Sequence, residues 1–413
     1  MAGRAGWAMG DQALSSLTNF AVGVLVARTV DPDGFGAFTL AFSTYLIVLN
    51  VARAVATMPL VIRYSAATPE HWRRAVASAG GTLVVAGLVT GLPIAVVGAF
   101  LAAPLGPALI ALGAALPALL LQDGWRSALF AASRGRSAVA VDLLYAALLI
   151  PVMWLGSGLA LAPPAGAILL WGVSTLPSSI LGARLTGTRP VPSGALAWLR
   201  EHRDLVPRYG AEAGVGLVAN QGAIYVVGAV AGLAAAGSIR GAQLLLGPLH
   251  VLVQAAYLFA VPEGVRLRAS HPHRFVPGMA AVSGVLALAT LSWLGVLLAL
   301  PDAPGRELLG PSWEPARGVL LPLGLALAGQ SLAAGPIVGL RVLADARASL
   351  RARLIDAPAG FLLASAGALL AGARGAAWGF AASGFFGAAI FAVAFVRSLS
   401  RSRTSWVGPD VRG

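Results

Sequence analysis

RLRASHPHRFVPGMAAVSGVLALATLSWLGVLLALPD, residues 266–302, carries the pattern that decides the fold. Arg266, Arg268 and Arg274 precede an apolar run over about 277–300, and Asp302 follows it. About 20 mostly apolar residues suffice for a helix to cross a bilayer. Arginine before such a run and an acid after it is the asymmetry that separates cytoplasmic from external loops. The run therefore reads as a membrane span leaving the cytoplasm.

Outward from this stretch the same pattern fills the chain of 413 residues. Apolar periodicity and breaker residues mark twelve runs. They lie at about 7–28, 34–56, 76–102, 105–131, 138–159 and 164–184, then 208–232, 236–260, 277–300, 318–341, 351–372 and 375–397. All 29 basic residues are arginine. Arg28, Arg240, Arg306, Arg317 and Arg374 fall on one side of the spans so counted, and every other arginine falls on the opposite side. The basic side carries clusters such as Arg73 with Arg74, Arg134 with Arg136, and Arg347 with Arg351 and Arg353. The other side is short or acidic, as in Asp31–Pro32–Asp33 and the stretch from Asp302 to Glu314. An even span count preserves this alternation and places both termini in the cytoplasm.

Composition agrees. The chain is 58% hydrophobic and 11% charged, with a mean hydropathy of +0.81. Soluble domains carry about 25% charged residues, so a soluble surface is out of reach. The net charge of +13 is a topology signal, and no nucleic-acid partner is expected. With no cysteine, disulfides and thiolate metal sites are excluded. Asp11, Gln12, Ser15, Ser16, Thr18 and Asn19 make the first run too polar for a signal-peptide core, so it reads as a retained span.

A segment at about 185–207, with Pro190, Pro192 and charges from Arg200 to Asp204, reads as a cytoplasmic linker. It divides an N-terminal bundle, 1–184, from a C-terminal bundle, 208–397, with a cytoplasmic tail at 398–413. The halves echo each other: Asp11 and Asn19 are matched by Glu212 and Asn220, and Gly34, Pro59 and Arg63 by Gly237, Pro262 and Arg266. Six spans per half give both halves one orientation, an architecture typical of secondary transporters. The expected fold is thus an all-α polytopic membrane protein. About 12 transmembrane helices form two parallel six-helix bundles around a central cavity.

Polar side chains in hydrocarbon are costly and mark candidate sites. Asp11, Ser15, Thr18 and Asn19 share one face of the first helix, and Glu212 and Asn220 one face of the seventh. Ser43, Asn50 and Arg53 line a face of the second; Gln243, His250 and Gln254 line one of the eighth. These stripes suit a wet cavity, with Asp11 and Glu212 as ion-coupling candidates. A structural reading stands beside each. Asp11 and Glu212 sit near helix starts, where the dipole favours a carboxylate, Arg53 is close enough to its helix end to snorkel, and His250 suits a helix–helix hydrogen bond. Asp123 and Arg126, three apart, neutralise each other on one helix, and Asp142 and Asp356 read as interfacial. The glycine pairs Gly228/Gly232 and Gly375/Gly379 read as close helix packing. No Gly-rich phosphate loop with its lysine exists, so neither enzymatic chemistry nor a cofactor or metal is expected.

Several stretches resemble a known family. DQALSSLTNFAVGVLVARTVDPDGFGAFTLAF (11–42) resembles the start of bacterial polysaccharide flippases, Wzx-like members of the superfamily that also holds the MATE drug exporters and the lipid II flippase. LLLQDGWRSALFAASRGR (119–136), LLGPSWEPARGVLLPLGLAL (308–327) and GLRVLADARASLRARL (339–354) are similar to later parts of the same family. The resemblance implies alternating access between two six-helix bundles. It also implies a polyprenyl-diphosphate-linked oligosaccharide as cargo, moved from the cytoplasmic to the external leaflet of the bacterial cell membrane for surface polysaccharide biosynthesis. Membrane lipids and a polysaccharide polymerase or glycosyltransferases are the partners implied. Arg53 matches the family's cavity arginines, with Arg28 and Arg126 as further candidates, because a guanidinium fork suits diphosphate oxygens. Few arginines lie deep in the spans, which departs from a strongly basic cavity. Two other functions fit the same residues: a proton- or sodium-coupled exporter of small amphiphilic cations, and a non-transporting scaffold for glycosyltransferases.

Overall fold

A computed structural model describes the backbone of residues 2–156 and 163–404. Side-chain surroundings are described for these residues except 2–6, 8, 9, 208, 211–220, 258 and 402–404. Every regular element among the described residues is a helix. In chain order these are α1 (Ala2–Thr29), α2 (Pro32–Tyr64), α3 (Pro69–Ala99), α4 (Leu105–Ala131), α5 (Gly135–Gly156), α6 (Ala165–Thr186) and the short α7 (Ala195–Glu201). Then follow α8 (Val206–Ala231), α9 (Leu233–Leu245), α10 (Gly247–Ser270), α11 (Phe275–Leu298), α12 (Asp302–Leu309), α13 (Trp313–Val342) and α14 (Ala346–Thr404).

The twelve expected runs each fall largely on helix, with residues 157–159 of the fifth outside the described ones. One boundary needs correction. The eighth run is broken at Leu246, between α9 and α10, so Gln243 does not share one continuous helix with His250 and Gln254. Pro248, in the first turn of α10, brings no N–H to continue the ladder, and Leu249 N–H bonds Leu246 O three residues back. The last two runs are separated as expected, by a sharp break at Ala371 and Gly372, where Gly372 has φ +59°. By length and apolar composition, eight helices among the described residues can cross a membrane, or nine counting the broken α9–α10 pair. α3 shows why this is a membrane protein: Leu88, Val89, Leu92, Val96 and Val97 are each 50–69% exposed, an apolar stripe that lipid accepts and water penalises.

The helix ends explain the acidic outer loop. Asp31 caps α2, its Oδ1 accepting Gly34 N–H at 2.7 Å, with Pro32 at the first helical position; both are favoured helix starts. Asp33 Oδ1 accepts Ala234 N–H at 3.0 Å in the first turn of α9. These carboxylates therefore cap helix N-termini. Of the glycine pairs, Gly375 lies against Gly367, where either Cβ would strike the other's backbone, while Gly232 (φ +89°) ends α8 rather than packing within it.

The chain divides into two compact units, Met1–Gly241 with Gly305–Pro315, and Ala242–Pro304 with Ala316–Gly413. In the first, α4 supplies the core through Leu112, Leu116, Leu120 and Trp125, all essentially fully buried. In the second, Phe275, Met279, Ile337, Phe391 and Phe395 form the largest described cluster. At its edge Asp345 accepts the Ala348 N–H at 2.9 Å, capping α14. That amide holds the Asp345 carboxyl below the usual carboxylate range, helped by Ser398 and Arg401.

Proline interruptions are satisfied by side chains from neighbouring helices. Pro336 has no N–H for Leu332 O, and Ser283 Oγ donates to that carbonyl at 2.6 Å while accepting Gly335 N–H at 3.0 Å. Pro59 likewise leaves Val55 O without its helical donor. Trp198, on the linker helix α7, donates its indole Nε1–H to Val55 O at 3.1 Å. Its ring stacks on Tyr64 and His202. Trp198→Phe keeps the ring and removes the donor, leaving a carbonyl unmet inside the protein. The variant is expected to lose about 1–3 kcal/mol of stability, read as a lower melting temperature of purified protein. An unchanged melt would show that the linker is not held by this bond.

Candidate functional site

Arg53 opens a π turn, Arg53–Thr57, within α2. Such turns add one residue to the helical register and are frequent at functional sites. Thr57 Oγ1 closes the widened turn on Arg53 O at 3.0 Å. The Arg53 guanidinium forks onto Asp123 of α4, Nε to Oδ2 at 2.9 Å and Nη2 to Oδ1 at 2.7 Å.

Around this pair lies a buried ionic cluster drawn from four helices of the first unit. Arg126, one turn along α4, donates to Asp11 of α1 at 2.8 Å and to Asp123 at 3.2 Å, and lies 3.6 Å from Asp142 of α5. Gln122 donates to the other Asp142 oxygen at 2.7 Å. The carboxylates Asp11, Asp123 and Asp142 are each 5% exposed or less, so water does not neutralise them. Three carboxylates thus face two guanidiniums, and the cluster balances only when one more positive charge, a proton or a cation, joins it. Asp11 Oδ1 is buried without a hydrogen-bond partner. Asp11 and Asp142 address the same nitrogen of Arg126, which makes this end of the cluster the place for the extra charge.

Beside the cluster on α2, α5 and α6 is an aromatic bed. Trp171 meets Tyr45 edge-on at 4.8 Å, stacks on Phe42 at 5.8 Å and donates to Tyr145 Oη at 2.7 Å. Arg240, on α9, lies over Phe42 with its guanidinium carbon 4.2 Å from the ring centroid. Its Nε is buried without an acceptor.

In fold this chain matches transporters whose structures are solved. It aligns with a multidrug resistance MATE family transporter of the MOP superfamily, inward-facing, at 15% identity over 94% of this chain and 96% of that one, TM-score 0.68. It also aligns with the lipid II flippase MurJ, inward closed, at 12% identity over 95% of this chain and 90% of that one, TM-score 0.70. The chain shares the fold of these proteins. A MOP-superfamily transporter from Pyrococcus furiosus matches at 14% identity over 96% and 94% of the two chains, TM-score 0.51. No family model matches the sequence, and no curated protein does. The MOP fold and the apolar helices agree with the multi-pass helical protein expected from the arginine pattern.

Against this frame the sequence candidates separate. Arg53, Asp11 and Arg126 come together in one cluster, with Asp123 beside them. Asp142, expected at the interface, is instead buried within it, because the start of α5 packs on α4 where Gln122 and Arg126 emerge. Asn50 is half-buried and donates to Leu46 O at 2.8 Å. The first-helix stripe divides: Thr18 is buried and bonds Leu14 O, while Asn19 is exposed. Gln243 is half-buried, and His250 and Gln254 are exposed on α10. Arg28 is exposed at the end of α1. The side chains of Glu212 and Asn220 lie outside the described residues. Sequence reasoning missed Asp142, Gln122 and Arg240. For Asp142 and Arg240 a signal existed, an ionisable residue within an apolar run; for Gln122 there was none.

Proposed function

We propose that the chain is a membrane transporter that works by alternating access and couples transport to a proton held in the Asp11–Arg126–Asp142 cluster. The surplus carboxylate carries this reading. A buried site that balances only after gaining a charge is a site whose occupancy shifts with water access, and water access is what alternating access changes. Asp11 is one of the two coupling residues named from the sequence, with Glu212, and Asp142 joins it.

For the cargo we infer a polyprenyl-diphosphate-linked oligosaccharide, moved to the external leaflet for a surface polysaccharide. The Wzx-like stretches support this, and so does Arg240, a half-buried arginine over the Phe42 ring whose Nε is enclosed without an acceptor. Arg53 and Arg126 are already held by carboxylates, so the diphosphate role shifts from them to Arg240. The six-plus-six division about the 185–207 linker, cytoplasmic termini, residence in a bacterial cell membrane, and partnership with a polymerase or glycosyltransferases belong to the same proposal.

Deleting the gene tests it. Surface polysaccharide is expected to disappear while its lipid-linked precursor accumulates on the cytoplasmic side. Unchanged polysaccharide together with retention of a fluorescent cation would overturn the cargo in favour of an exporter of small amphiphilic cations.

A further inference from the structure

At the arginine-rich end of the first unit, a cavity of about 480 Å³ opens where α2, α3, α4 and α6 end or begin. Arg73, Arg134 and Arg184 line it, together with Tyr64, Trp72 and Gly187, and no acidic residue is among the lining. The nearest acids have partners outside the lining or on its edge: Glu70 faces Arg74 at 3.6 Å, and Glu201 accepts from Tyr64 Oη at 2.8 Å. Arg134 is fixed in place by Nη1, which donates to Leu185 O at 2.6 Å at the end of α6. Gly187, at φ +69°, stops α6 just beyond Arg184, a left-handed position that favours glycine.

The three guanidiniums are exposed, so solvent screens part of their mutual repulsion, and an anion among them relieves the rest. The wall beside them is aromatic, with Trp72 8% exposed and its indole Nε1 closed to solvent. Arginine forks match phosphate oxygens in particular, and spans end at the level where lipid phosphates lie.

We propose that this cavity is a binding site for an anionic phosphate group, held by Arg73, Arg134 and Arg184. It goes beyond the transport reading and does not depend on it: a protein that fails to flip its cargo still binds here.

The test is a titration of the purified full-length protein, followed by native mass spectrometry, with short-chain phosphatidylglycerol, phosphatidylcholine or inorganic pyrophosphate. One saturable equivalent of phosphatidylglycerol or pyrophosphate is expected, and phosphatidylcholine binds more weakly. Binding of phosphatidylglycerol alone makes the source a lipid headgroup; displacement by pyrophosphate makes it a soluble phosphate as well, and both uphold the site. Arg73→Gln with Arg184→Gln, which spares the Arg134 bond to Leu185, is expected to weaken binding about tenfold or more. Arg73→Gln alone weakens it several-fold with an unchanged melting temperature, and serves if the double variant does not fold. Arg189→Gln with Arg200→Gln, outside the cavity, leaves binding unchanged. No saturable equivalent, full affinity in the variant used, or equal loss in the outside pair would each overturn the proposal.

Discussion

Asp123→Ala is expected to destabilise the protein more than removal of either other acid of the cluster, by about 3–5 kcal/mol. Asp123 accepts both prongs of Arg53 and a further bond from Arg126. Its removal leaves Arg53 without a carboxylate among the described contacts and takes one of three from Arg126. Breaking a buried pair from one side strands a charge, which costs more than the pair itself contributes. Total folding stabilities are about 5–15 kcal/mol, so little monodisperse protein is expected from Asp123→Ala. Arg53→Leu with Asp123→Leu removes both charges and should recover much of the yield and melting temperature. Arg53→Ala alone should be milder than Asp123→Ala, since Asp123 keeps Arg126. A wild-type melt for Asp123→Ala would show that the fork is ornamental.

Asp11→Asn should separate folding from transport. With it, two carboxylates face two guanidiniums and the cluster is balanced without a proton. The amide oxygen can still accept from Arg126, so melting temperature and yield are expected near wild type. Transport is expected to fall to background and to lose its response to an imposed proton gradient in proteoliposomes, with precursor accumulating in cells that rely on the variant. Asp142→Asn should behave alike if the two acids share the extra charge. Wild-type transport and gradient response in both variants would make the cluster purely structural and remove the coupling proposal. The contrast with Asp123 is the sharper check, because only a surplus acid can be neutralised without penalty.

Much of the architecture was legible in the chain itself. Each apolar run between an arginine cluster and an acidic or short loop became helix, since hydrocarbon leaves a backbone no partner but its own. Asp31–Pro32–Asp33 signalled an external turn, and the structure adds that its acids cap α2 and α9. The ionic site was legible only in part. Asp123 and Arg126, three apart on one helix, read as a pair at once. That Arg53 forks onto Asp123 required α2 to meet α4, a contact 70 positions apart in the chain. Polar stripes misled where helices break: a stripe through Gln243, His250 and Gln254 presumes one axis, and the Gly247–Pro248 pair ends it.

The sequence alone determined that this is a multi-pass helical membrane protein and where most helices start and stop. Those properties follow from local hydrophobicity, caps and the sign of loop charge, each felt within a few residues. Tertiary structure decided which buried charges meet. Segments distant in the chain pack so that three acids, Asp11, Asp123 and Asp142, meet two arginines, and low-dielectric burial turns that count into chemistry. No reading along a single helix supplies the count, because each helix contributes only one or two of its members.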